Sequence, residues 1–168
     1  MGMILNKSIK KFKVGFPTMS DKYNVGPATL TGSTAVNFGD LVKFSATKGY
    51  FESASGGVSA ITDIAGFVVG TNVKLALSYP GTDASVTTLP GEAFNISLPN
   101  TYLAIKLKAN AVATDIIAGA KVYVTLADGT CTTSTNASVG TIVELPGVVF
   151  TGEYETEGSN IVAEIYIK

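Results

Sequence analysis

The sequence predicts an all-β fold, a jelly-roll-like sandwich or barrel with an N-terminal arm. Three observations carry that prediction. From residue 36 onward, short stretches alternate apolar and polar side chains with the two-residue period of strands. Gly- and Pro-rich turns separate these stretches at intervals of about 8 to 15 residues. Only "NAVATDIIAGA" offers even one turn of helix.

The chain opens with a basic segment. Lys7, Lys10, Lys11 and Lys13 make it the densest run of lysines in the sequence. Leu5, Ile9, Phe12 and Phe16 have helical spacing, whereas Phe12, Val14 and Phe16 alternate with Lys11 and Lys13 as in a strand, so both forms stay open. Gly15 and Pro17 end either one, and Gly26-Pro27 adds a second break. Residues 1–30 therefore read as an arm or lead-in segment and 31–168 as one β domain. A solvated basic tail and a docking arm both fit the first segment. In a docking arm, Lys7, Ile9, Lys10, Lys11, Phe12 and Lys13 are the contact residues, and deleting residues 2–14 weakens attachment while the β domain still folds.

The strands follow in order. "VNFGDLVKFSA" gives a short strand after the Gly39-Asp40 turn, and "GYFESASGGVSAI" gives another before a Ser/Gly-rich loop. "GFVVGTNVKLAL" is rich in β-branched residues, with Gly70 as a bulge or bend. The long polar connection "YPGTDASVTTLPGE" precedes "LPGEAFNISLPNTYLAIKLKA", two strands around a Pro-Asn break. In the first of these Phe94, Ile96 and Leu98 share a face; in the second Leu103, Ile105 and Leu107 oppose Tyr102, Ala104, Lys106 and Lys108. Ala118-Gly119 reads as a turn, Val122 to Leu126 as a strand, and Asp128-Gly129 as a hairpin turn that places Cys131 on the return strand. The chain closes with two antiparallel strands joined by a polar turn region from Glu153 to Asn160. In the last strand Ile161, Ala163, Ile165 and Ile167 alternate with Val162, Glu164, Tyr166 and Lys168.

Composition narrows function by exclusion. Of 168 residues, 46% are hydrophobic and only 15% charged, against about 25% charged in an average soluble domain. Part of that low-charge surface is expected to meet a partner. The formal charge is -1 and all 12 basic residues are lysine, so the bidentate guanidinium forks that read guanine or phosphate are missing. With no tryptophan for stacking, nucleic acid is not an expected partner. The absence of histidine removes the commonest general base, the commonest metal ligand and every Ser-His or Cys-His pair. The single Cys131 can form neither an intramolecular disulfide nor a multi-thiolate zinc site, and reads as a small packing residue. Glu153, Glu155 and Glu157 alternate like one face of a solvated hairpin and lack the pattern of a calcium loop. Nucleotide-binding GxxxxGK[ST] and GxGxxG motifs and the hydrolase GxSxG motif are all missing. No stretch approaches the roughly 18 apolar residues of a membrane span, and the lysines interrupt any signal-like run. No catalysis, cofactor, metal or membrane association is expected.

Three segments carry a family resemblance. "DIAGFVVGTNVKL", then "PGEAFNISLPNTYLAIKLKANAVATDIIAGAKVYVTLADGT", then "VELPGVVFTGEYETEGSNIVAEIYIK" together resemble the structural cement, or capsid decoration, proteins of tailed bacteriophages. The resemblance covers residues 63 to 168 and fades toward the N-terminus. It implies a β-rich jelly-roll or barrel domain, often a homotrimer, that binds the outside of the capsid where major capsid protein subunits meet. Made in the bacterial host cytoplasm, such a protein resides on the virion exterior and has no catalytic residues. A virion-associated carbohydrate-binding or host-recognition module is the alternative, with Tyr50, Phe51, Tyr79, Tyr102 and Tyr154 as its aromatic candidates.

Overall fold

Side-chain alternation decides which residues face inward, and it builds two antiparallel sheets around a shared core. The computed structural model describes residues 12–19, 22–70, 87–133 and 142–168. The first sheet is formed by β1 (Val25–Thr29), β3 (Leu41–Phe44), β4 (Phe51–Ser53), β5 (Ile64–Val69) and β7 (Ala93–Ser97), in the order β1-β7-β5-β3-β4. The second is formed by β8 (Thr101–Lys106), β9 (Lys121–Thr125), β10 (Thr130–Thr132), β11 (Ile142–Glu157) and β12 (Asn160–Ile167), in the order β10-β9-β11-β12-β8. A short ribbon pairs β2 (Val36–Asn37) with β6 (Thr87–Thr88). None of the sheets closes into a barrel, so the all-β architecture is a sandwich. Helical structure among the described residues is limited to single 3-10 turns, one of them Ala113–Asp115 within "NAVATDIIAGA".

The main core lies between the sheets. Leu41, Phe67 and Val69 from the first meet Leu103, Ile105, Val122, Val124, Phe150, Ala163 and Ile165 from the second. Val68, between Phe67 and Val69, points the other way into a second core with Val36, Phe38, Val42, Phe94 and Ile96. The unbroken apolar run "FVV" is thus a strand buried on both faces. Both sheets also curl. Thr31 N–H donates to the Phe51 carbonyl at 2.7 Å, joining the chain just beyond β1 to the opposite edge strand β4. Lys108 N–H donates to the Cys131 carbonyl at 2.8 Å and does the same for β8 and β10. These contacts satisfy edge groups that would otherwise invite pairing with another chain.

Two local expectations change, and one connection acquires its geometry. Gly26-Pro27 lies inside β1, where Pro27 faces Asn95 on the edge of the sheet; an edge strand tolerates a proline because its outward side needs no ladder donor. The turn placed at Glu153 to Asn160 shrinks to Gly158-Ser159, because β11 continues to Glu157 and pairs with Asn160. Its register shifts between Glu144 and Val149, around Pro146-Gly147, so that one strand serves β9 with its first half and β12 with its second. The strands on either side of the Pro99-Asn100 break belong to opposite sheets. Asn100 takes the left-handed φ of 68° that this crossing requires.

Residues 12–19 form a strap along β8, an edge strand of the second sheet. Gly15 N–H donates to the Ala104 carbonyl at 2.7 Å, Ala104 N–H returns to the Phe16 carbonyl at 3.2 Å, and Thr18 N–H donates to the Tyr102 carbonyl at 3.2 Å. The Gly15 carbonyl then accepts from Gly70 N–H at 2.6 Å, at the end of β5 in the first sheet. One residue therefore ties both sheets together. A β-carbon at Gly15 would lie 2.3 Å from the Phe38 β-carbon and 2.4 Å from the Gly39 nitrogen, and φ there is +75°. Gly15→Ala combines left-handed strain with overpacking and should cost about 3 kcal/mol or more. Gly49 has φ +87° but open space around it, so Gly49→Ala should cost only the strain, about 1–2 kcal/mol. Denaturant unfolding of the two variants measures the difference, and equal losses would contradict the packing role of Gly15.

Candidate functional site

Of the six residues that the sequence nominates for contact, Phe12 and Lys13 fall within the described residues; Lys7, Ile9, Lys10 and Lys11 lie outside them. Phe12 is 6% exposed, with its side chain against Ala104, Val162 and Val14 on the outer face of the second sheet. Ala104 is small enough to leave room for the ring. The Phe12 N–H donates to Glu155 Oε2 at 3.2 Å. Lys13 is exposed, with its Nζ 4.8 Å from the Phe16 ring centroid. Phe16 in turn meets Phe38 edge-on at 5.3 Å. Phe12 is thus an anchor of the strap, and Lys13 is the described nominee available to a partner.

Between the strap and the sheet runs a groove of about 460 Å³, lined in part by Phe12, Phe16, Met19, Glu153 and Glu164. Glu164 is buried beneath it and accepts a hydrogen bond from Thr151 Oγ1 at 2.6 Å. Within the expected acidic face, Glu153 is exposed while Glu155 is half-buried against the strap. The side chain of Glu157 lies outside the described residues.

The two ends of the sandwich differ. At one end, a cleft of about 380 Å³ is lined by residues that include Asp40, Lys106, Lys108, Cys131 and Asn160. Lys108 and Asp128 pair there at 2.6 Å. Partial burial raises the Asp128 carboxyl, but hydrogen bonds from Lys108 and Thr130 outweigh it and hold the group below its usual range. Those bonds also fix the Asp128-Gly129 hairpin. At the other end, a smaller cleft of about 250 Å³ between the sheets includes Leu98, Pro99, Pro146, Gly147 and Lys168 in its lining. Among the described residues no group of three or more His, Cys, Asp or Glu side chains is arranged to hold a metal.

The aromatic candidates for sugar stacking lie on separate elements. Tyr50 and Tyr154 are exposed, on the β3–β4 turn and on β11; Phe51 is half-buried, and Tyr79 lies outside the described residues. Tyr102 stacks on Tyr166 at 4.5 Å, with Lys22 Nζ 5.4 Å from its ring centroid.

The residues that sequence reasoning missed are Gly15, Gly39, Gly70, Ala104 and Val162, which make the seat of the strap. The sequence assigns them to turns and strands but gives no sign that they meet, because they are distant in the chain.

Cys131 sits in the main core. Burial, with a further contribution from the nearby Asp40 carboxylate, pushes its thiol up to about 12. In the folded protein it should therefore resist thiol reagents at neutral pH and react only on unfolding. The unfolded thiol ionises near its ordinary value of 9.0, so the stabilisation is full below that pH and is lost as pH rises from there toward the folded value. Cys131→Ala should flatten the alkaline loss of stability, measured by denaturation at about pH 8 and about pH 10. Phe12→Ala should cost about 3 kcal/mol, and Lys13→Ala less than about 1 kcal/mol, by the same measurement.

No protein-family model and no curated protein matches the sequence. A chain from the solved capsid of Myoviridae phage XM1 is similar in structure, with a TM-score of 0.68 and 14% sequence identity, over 100% of this chain and 97% of that one. At this identity the likeness shows that the two chains share a fold.

Proposed function

We propose that this chain is a phage virion structural protein, without catalytic activity, that binds the outer surface of the capsid and stabilises contacts between major capsid protein subunits. The observation that supports it most is the full-length structural likeness to a chain of a phage capsid. The low charge content supports the same reading, since a surface with few charges is suited to burial against a partner. A homotrimer would multiply each contact, and on a repeating lattice weak contacts gain strength through effective concentration. In this reading Lys7, Ile9, Lys10, Lys11 and Lys13 reach onto a capsid subunit, and Phe12 holds the base of that arm.

Co-sedimentation with mature heads of the phage that encodes the chain, purified without it, tests the reading. Saturable binding at a fixed ratio to the major capsid protein is expected. Deleting residues 2–11 should weaken attachment at least tenfold, and deleting residues 2–14 should also destabilise the fold by removing Phe12. No binding by the intact chain, together with capture on an immobilised host polysaccharide, would replace this reading with glycan recognition.

A further inference from the structure

Glu164 is a carboxylate buried without a cation. It is 6% exposed and stands on the outer face of the second sheet, where it pairs across to Ala104. Its Oε2 accepts from Thr151 Oγ1 at 2.6 Å, and among the described residues no ion pair reaches it. A single neutral hydroxyl does not offset the cost of taking a carboxylate out of water. Glu164 lines the groove of about 460 Å³ between the strap and the sheet. A second incomplete group lines the same groove: Thr18 Oγ1 is buried and has no hydrogen-bond partner. Much of the remaining wall is apolar, from Phe12, Phe16, Pro17 and Met19. Lys13 also lines the groove, but its Nζ rests 4.8 Å from the Phe16 ring centroid instead of pairing with Glu164.

We propose that this groove receives a lysine side chain of a partner protein, with its ammonium on Glu164 and its aliphatic stem along Phe12, Phe16, Pro17 and Met19. The carboxylate selects a cation, and the apolar walls select one carried on a hydrocarbon stem. A guanidinium fork is matched to both oxygens of a carboxylate, and Thr151 already holds one of them; an ammonium is a point charge that needs only the other. A calcium ion takes about six to eight oxygen ligands, far more than Glu164 and Thr18 supply. Met19, 40% exposed in the lining, is covered by a protein surface and not by a small free amine. The Thr18 hydroxyl gains a donor from the same ammonium. The site stands on the groove itself; that the partner is a capsid subunit rests on the capsid-binding reading.

The full chain is titrated with Nα-acetyl-lysine N-methylamide and, in parallel, with the same probe acetylated on its side-chain nitrogen, while NMR follows the amides of Thr18, Ala104 and Glu164. The charged probe should shift these amides saturably, and the acetylated probe should bind at least about tenfold more weakly. Glu164→Gln keeps an acceptor for Thr151 and removes the charge, so it should weaken the charged probe by a similar factor. Thr18→Val should weaken it by about threefold. Equal binding of the two probes, undiminished binding to Glu164→Gln, or no shift at the groove overturns the site. Co-sedimentation with heads then separates the site from the capsid reading. Glu164→Gln should attach at least about tenfold more weakly than the parent chain. Attachment equal to the parent's overturns lysine docking and leaves the capsid reading standing. Failure of the parent chain to attach removes the capsid subunit as the partner, and the probe titration alone decides the site.

Discussion

Gly15 is the residue on which the sandwich depends, because its peptide groups bond to both sheets at once. Its N–H goes to Ala104 in the second sheet and its carbonyl receives Gly70 N–H at the end of the first. Sheet-on-sheet packing alone is non-directional and sets separation more firmly than register. Hydrogen bonds from the N–H and to the carbonyl of this one residue add the direction. The close approach needs three glycines: a β-carbon on Gly15 would meet Phe38 and Gly39, one on Gly39 would meet Val14, and one on Gly70 would meet Phe16 and Phe38. The strap also covers the β8 edge, so the same contact that aligns the sheets removes a site of non-specific pairing.

Around that clasp the molecule is arranged in layers. The first sheet packs Leu41, Phe67 and Val69 into the main core on one face and Val42, Val68, Phe94 and Ile96 into the second core on the other. The second is apolar inside and mixed outside, where Tyr102 and Tyr166, the Lys121–Glu144 pair and Glu164 share the surface with Phe12. The outer face is therefore where a low-charge chain still presents chemistry, and the strap divides it.

Much of this was legible in the sequence where a local rule sufficed. The alternation of Leu103, Ile105 and their neighbours gave β8, and Asp128-Gly129 gave the β9–β10 hairpin, since turn type and pleat are set within a few residues. Gly26-Pro27 misled because its extended form depends on the partner strand β7. The turn region from Glu153 to Asn160 is longer in the sequence reading than in the fold because a polar, charged stretch favours solvent, while in the fold Glu155 pairs across to Val162 and receives the strap. The sequence leaves Phe12 in a solvated tail or a docking arm, whereas in the fold it is seated against Ala104 and Val162. Phe12 and Glu155 lie 143 residues apart, a separation at which no window of sequence carries a signal.

The central claim is that the strap is an integral part of the folded sandwich and fixes its two sheets together. Native-state hydrogen exchange of the Gly15 and Gly70 amides tests it most directly. If the clasp opens only with the whole fold, both amides exchange with the same free energy as Ile105 and Phe67 in the core. If Gly15 and Gly70 exchange freely while the core amides stay protected, the strap is a separable appendage and the account is wrong.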